Sequence, residues 1–183
     1  FALRDALIAP KVAHRAAITS PAQLGKLLRA IDEYGGQPAT KAALQLMAIL
    51  FQRPGELRAA EWGEFDLDKA VWSIPAARMK MRRPHRVPLP RQAVTILRQL
   101  EAVTGTGDLA FPCIGRGLKP ISENTMNGAL RRLGFGSDVA TAHGFRATAS
   151  TLLNESGKWN PDAIERQLAH AENNEVRRAY ARG

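Results

Sequence analysis

Between Phe65 and Leu89 the chain stops spacing its apolar residues as a helix does and begins to alternate them. FDLD, AVWSIP and HRVPL are short runs rich in β-branched and apolar residues, separated by turn formers. That pattern fits a small antiparallel sheet of three strands. The sequence on either side is mainly helical in period, so the expected fold class is α+β: mainly α-helical with a small three-stranded antiparallel sheet. With 183 residues at 45% hydrophobic, the chain can bury one sizeable core, which points to one globular domain. Residues 1–18, with Pro10, Lys11, His14 and Arg15, read as a lead-in or linker end, and residues 19–183 as the domain itself.

The helices can be placed from their ends. Thr19-Ser20-Pro21 supplies a hydroxyl cap and a first-turn proline. Leu24, Leu27, Leu28 and Ile31 follow at helical spacing, and Gly35-Gly36 ends the run. Thr40 to Phe51 is apolar nearly all round, as a central buried helix must be. Pro54 opens a short helix with Arg53 at its mouth and Leu57 and Trp62 as anchors. Pro90 to Val103 is amphipathic, and Gly105 to Lys119 reads as a glycine-rich loop. Ser122 to Thr125 opens a helix carrying Arg131 and Arg132. The Gly134-Gly136 turn leads to a helix at His143, and Asn160-Pro161 starts one that ends near His170.

Charge narrows the partners. A formal net charge of +9 and a pI near 10.4 make nucleic acid the first to consider. Ribosome association, a membrane surface or simple solubility are the alternatives. Cys113 is the single cysteine, which excludes a disulfide framework and a cysteine-based zinc site; a buried filler is the simplest role for it. No apolar run approaches the roughly 18 residues of a membrane span, and the chain reads as soluble and cytoplasmic.

Two places concentrate basic and nucleophilic side chains. The connection ARMKMRRPH carries Arg78, Lys80, Arg82, Arg83, His85 and Arg86. A hairpin tip of this kind suits a phosphate backbone or groove, the alternative being a solvated charge run. The acids of Asp66-Leu67-Asp68-Lys69 fit a hairpin turn better than a metal site. The second concentration is His143 to Tyr180. His143 and Arg146 stand one helical turn apart and share a helix side. His170 and Tyr180 follow, with Asn173-Asn174 between them as a break and cap that would let a second short helix fold the phenol back. Two imidazoles, a guanidinium and a phenol would then converge into a plausible phosphate site.

Taken in order, Arg53 in R-P-G-E-L, Lys80 in a basic hairpin, H-G-F-R at 143–146, L-A-H at 168–170 and A-Y at 179–180 resemble the tyrosine recombinase, or phage integrase, family. The MKMRRPH-V-P-L stretch and V-R-x-A-Y ending are most similar to P4-type prophage integrases. The resemblance covers essentially residues 20–183 and implies the catalytic core alone. The family's upstream DNA-binding domain and its helix after the tyrosine are expected to lie outside this sequence. Leu50-Phe51-Gln52 stands where many relatives have a Thr-Gly turn, and Ala169 replaces a frequent glycine.

The resemblance implies a site-specific recombinase cutting and rejoining DNA through a 3′-phosphotyrosyl intermediate. Arg53 and Arg146 would grip the scissile phosphate, and Lys80 would protonate the leaving 5′ oxygen. His143 would accept or relay the nucleophile's proton, His170 would hydrogen-bond the phosphate, and Tyr180 would attack. Glu56 would orient the site, and Arg78, Arg82, Arg83, His85, Arg86, Arg131 and Arg132 are the expected DNA contacts. The chemistry suits these residue types. Guanidinium forks meet two phosphate oxygens at once and can replace a metal as charge stabiliser. A phenol of pKa near ~10 needs help to ionise at neutral pH. No cofactor is expected. The implied partners are double-stranded attachment-site DNA, further protomers of the full-length protein and accessory DNA-bending proteins. A type IB topoisomerase-like enzyme and a non-catalytic DNA-binding module remain the alternatives.

Overall fold

The computed structural model describes residues 16–169. Seven α-helices and two small sheets are found among them: α1 (Pro21–Asp32), α2 (Pro38–Leu50), α3 (Pro54–Arg58), β1 (Phe65–Asp66), β2 (Val71–Ile74), β3 (His85–Pro88), α4 (Arg91–Thr104), β4 (Pro112–Cys113), β5 (Arg116–Pro120), α5 (Glu123–Arg132), α6 (Gly144–Ser156) and α7 (Pro161–Gln167).

The helices begin where their caps dictate. Ser20 Oγ accepts from the Gln23 N–H at 3.4 Å, and Ser122 Oγ from the Thr125 N–H at 3.1 Å. Asn160 Oδ1 accepts from the Asp162 N–H at 2.8 Å, with Pro161 at the first helical position where no N–H is needed. Helix α2 starts at Pro38, two residues before the expected Thr40, for the same reason. Its Leu44, Leu46, Met47 and Leu50 are almost wholly buried, and it touches α1, α3, α4, α5 and α6. It is the axis about which the others pack. Phe51 ends it in the left-handed region, with φ of 58°.

The expected sheet forms from β1, β2 and β3, all antiparallel, in that order. Trp72 pairs with Val87 and Ile74 with His85, so these four share one face. Trp72, Val87 and Ile74 are buried, whereas Ser73 and its partner Arg86 lie exposed on the other face. The first hairpin turn closes on itself: Asp66 Oδ1 accepts from the Lys69 N–H at 2.9 Å, and Lys69 Nζ meets Asp66 Oδ2 at 2.7 Å. The stretch 105–119, expected to be loop, contains a second antiparallel pair, β4 with β5. A two-residue β4, and a β5 that contains Gly117 and ends in Pro120, leave little alternation to read. At the other end of the chain Ile18 is buried, and its N–H donates to Thr148 Oγ1 at 3.0 Å, so packing on α6 begins ahead of α1.

No helix among the described residues is long and apolar enough to cross a membrane.

Candidate active site

The site is assembled at the turn between α2 and α3. Arg53 precedes Pro54, and its extended backbone lets Glu56, three residues on, reach back. Glu56 Oε2 accepts from the Arg53 N–H at 3.1 Å, while Oε1 holds the Arg53 guanidinium at 2.9 Å. Glu56 is buried and Arg53 keeps about a fifth of its side chain exposed. The carboxylate thus fixes the base of the guanidinium and leaves an edge open to solvent. A carboxylate bonded at once to the backbone N–H and the guanidinium of one arginine restrains the rotamers of both side chains.

Arg146 arrives from α6 and is buried. Its Nη1 donates to the Phe51 carbonyl and its Nη2 to the Leu168 carbonyl, each at 2.5 Å. Burial, with Arg53 beside it, lowers the Arg146 pKa to about 10; Glu56 and Glu165 act the other way. At neutral pH it remains charged. A buried guanidinium held by carbonyls beside a second one is a preorganised positive site, the type of group that stabilises developing oxyanions.

The turn after α7 is stitched into the same place. Arg53 Nη2 donates to the Ala169 carbonyl at 3.3 Å. Gln52 Nε2 donates to the Gln167 carbonyl at 2.7 Å, and Gln167 Nε2 returns a bond to the Leu50 carbonyl at 2.9 Å. Ala169 itself has φ of 49°. Both arginines therefore bond the turn that immediately precedes position 170.

His143 sits half-buried at the mouth of α6, and its carbonyl accepts from the Arg146 N–H at 3.2 Å. The glycine that follows is required by packing, because a Cβ on Gly144 would lie 2.2 Å from the Ala16 carbonyl oxygen. His170 and Tyr180 lie outside the described residues.

The basic hairpin divides into two groups. Lys80, Arg82, Arg83 and Arg86 are exposed. Arg78, expected among the DNA contacts, turns inward instead. Its Nε and Nη2 meet Glu64 at 2.8 and 3.0 Å, Nη2 donates to the Glu56 carbonyl at 2.9 Å, and Nη1 to the Ala59 carbonyl. With both Nη atoms bonded to protein groups, this guanidinium anchors the hairpin from inside. Burial raises the Glu64 pKa, opposed by Trp72 Nε1, 2.9 Å away, and by Arg78.

His85 is the second departure. It was expected at the DNA surface, yet it lies half-buried on the core side of the sheet, near Glu56, Arg53 and Arg146 and against the Gln167 carbonyl. Burial depresses its pKa, and the two arginines add to that. The period of two in His85-Val87-Leu89 is the signal that places it there. Arg131 and Arg132 are exposed at the end of α5, where Arg132 Nη2 donates to the Tyr34 hydroxyl at 2.8 Å. In the sequence Gln52 stands out only as part of the Leu50-Phe51-Gln52 departure and Gln167 not at all; their bonds depend on the meeting of α2 and α7, which no local pattern announces.

A family model described as the phage integrase family matches residues 18–183. The chain belongs to that family. The integrase of Enterobacteria phage P4 is 43% identical over 191 residues, covering 97% of this chain and 43% of the relative. Prophage integrase IntA of Escherichia coli K12 is 41% identical over 162 residues, covering 88% and 39%. The chain thus spans about two-fifths of the length of these curated relatives. Among solved structures, the Tn1549 transposon integrase in complex with transposon right end DNA superposes with a TM-score of 0.72 at 16% identity, over all of this chain and 66% of that one. A lambda integrase dimer bound to a COC′ core site gives 0.68 at 18%, over 97% and 52%. At these identities the likeness establishes the fold alone, which this chain shares with both integrases.

Proposed function

We propose that this chain is the catalytic part of a site-specific DNA recombinase that cuts and rejoins attachment-site DNA through a 3′-phosphotyrosyl intermediate. The observation that carries the reading is the pair Arg53 and Arg146, drawn from distant parts of the chain and both bonded to the turn after α7, with Glu56 holding Arg53. The exposed edge of Arg53 and the field of both guanidiniums suit a phosphodiester that enters from solvent. In this reading Tyr180 Oη attacks phosphorus, the P–O5′ bond breaks, and the 5′ oxygen leaves with a proton from Lys80. His143 takes or relays the phenolic proton and His170 hydrogen-bonds a nonbridging oxygen. Negative charge that grows on the nonbridging oxygens meets donors already in place. The energy of the broken ester is kept in the tyrosyl phosphate, so rejoining runs as the reverse.

Arg82, Arg83 and Arg86 on the hairpin, with Arg131 and Arg132 on α5, are the proposed backbone contacts. The full-length protein would act with further protomers and accessory DNA-bending proteins on the nucleoid in the bacterial cytoplasm. Lambda integrase, a protein of the same fold, forms a dimer on a core site.

The test is a nicked suicide substrate incubated with the full-length protein in EDTA. A covalent adduct mapped to Tyr180 by mass spectrometry, and lost in Tyr180→Phe with DNA affinity kept, is the expected result. An adduct that survives Tyr180→Phe, or cleavage abolished by EDTA, overturns the reading.

A further inference from the structure

His85 closes the basic hairpin on its return limb, and its surroundings are unlike those of its basic neighbours. It pairs with Ile74 and shares the core face with Trp72 and Val87, while Arg86 next to it is exposed. Its Nε2 is buried and has no hydrogen-bond partner among the described residues. The ring also meets the backbone of Gln167, whose carbonyl accepts from Gln52 Nε2, and with Nε2 unpartnered that contact is assigned to Nδ1. The outgoing limb is held equally firmly. Met79 is buried, and Arg78 bonds the carbonyls of Ala59 and Glu56. Lys80, between these two anchors, is exposed.

We propose that His85 is a positioning residue for strand cleavage, whose Nδ1–H ties the hairpin carrying Lys80 to the Gln167–Ala169 turn beneath Arg53 and Arg146. The inference rests on the recombinase reading above. A lysine on a flexible stem delivers its proton only when the backbone beneath it is fixed relative to the phosphate. The hairpin's two limbs meet the arginine site through Glu56 on one side and Gln167 on the other. Without the His85 bond the return limb keeps its packing at Val87 but loses its polar register against the arginine turn. A burial-depressed pKa keeps the ring neutral, which leaves one nitrogen protonated to donate and the other as a lone pair.

The amide of asparagine occupies the place of Nδ1 and can restore that donor, whereas the amide of glutamine reaches only towards Nε2. In single-turnover cleavage at saturating DNA, His85→Gln is expected to slow adduct formation by between about tenfold and a hundredfold, the scale of a misplaced catalytic group. His85→Asn is expected to stay within about threefold of the parent, a rate factor well under 1 kcal/mol. A substrate with sulfur at the bridging 5′ position separates positioning from general damage, because the thiolate it releases needs no proton. On it the His85→Gln deficit should largely disappear, as should that of Lys80→Ala. Equal deficits on oxygen and sulfur substrates, or a His85→Gln rate matching the parent on ordinary DNA, would overturn the proposal. A parent protein that forms no adduct on either substrate would instead sink the recombinase reading itself.

Discussion

Ala169 occupies the left-handed region, with φ of 49°, at the turn that both arginines bond. For an L-residue with a Cβ this conformation costs roughly 1–2 kcal/mol, and glycine escapes it. Against that stands the methyl group, half-buried beside the core, whose loss costs a few tenths by area. Glycine also has more freedom to lose on folding, by about 0.5–1 kcal/mol. The balance favours Ala169→Gly by about 0.5 kcal/mol, read as a higher urea midpoint with an unchanged slope. A lower midpoint would mean that the turn is held by packing of the methyl rather than tolerated against strain. Glu56 is the opposite case, since its carboxylate has work on both oxygens. Glu56→Gln keeps the shape but removes the charge that offsets two neighbouring guanidiniums. Its cost should be about 1–3 kcal/mol, below that of a fully buried pair because Arg53 is partly exposed. Urea denaturation at pH 7 measures it, and a loss under about 0.5 kcal/mol, a surface-pair value, would show the pair to be solvent-screened.

At the scale of elements, α7 matters out of proportion to its seven residues. It carries Gln167 into the site, and its start depends on the Asn160 side chain capping the Asp162 N–H. Asn160→Ala should cost about 1 kcal/mol, with hydrogen exchange quickened from Ala163 to Ala169 more than elsewhere. Uniform quickening would show that α7 does not open on its own. The same element shows what could be read in the sequence and what could not. Asn160-Pro161 announced the helix start, as Ser20-Pro21 did for α1, because caps and first-turn prolines are local chemistry. The three strands were visible in FDLD, AVWSIP and HRVPL, with alternation at Trp72-Ile74 and His85-Val87. Strands β4 and β5 were not, because two residues in β4 offer no period. Arg53, Arg146 and Glu56 were singled out by the family resemblance, and the fold brings them into one place. The inward turn of Arg78 could not be read, since Glu64 and the Glu56 and Ala59 carbonyls meet it only after the sheet packs on α3. The core-side placement of His85 was not read because charge density in ARMKMRRPH was given more weight than the phase of HRVPL. Nothing local to Gln52 announced its bond across to α7. Its partner is the carbonyl of a residue from another part of the chain, and a glutamine two residues before a proline looks like surface.

Over the whole molecule, pH and salt act through different groups. His85 titrates below its ordinary range in the folded chain, because burial disfavours the charged ring. The unfolded chain therefore binds more protons at moderately acid pH, and stability rises with pH in that window. The contribution of His85 is present above about pH 6.5 and is lost as the pH falls towards its depressed folded value. His85→Asn should flatten the decline between neutral and mildly acid pH, measured as urea midpoints across that range. A decline of unchanged steepness would assign it to other groups. Salt acts on the surface charge instead. The net charge of +9 is not spread evenly over what DNA would meet, because Arg78 is spent internally on Glu64, and Arg53 and Arg146 on Glu56 and carbonyls. What remains free on the hairpin is Lys80, Arg82, Arg83 and Arg86. Each phosphate contact made by such a cation contributes about 0.9 to the slope of log affinity against log salt. Replacing Arg82, Arg83 and Arg86 together by alanine should therefore lower that slope by up to about 3 and weaken all DNA sequences alike. Arg78→Ala should leave the slope unchanged while lowering thermal stability, since its partners are protein atoms. Titrations of the full-length protein from low to physiological salt decide the matter. A slope that falls for Arg78→Ala and not for the triple variant would place the DNA on another face.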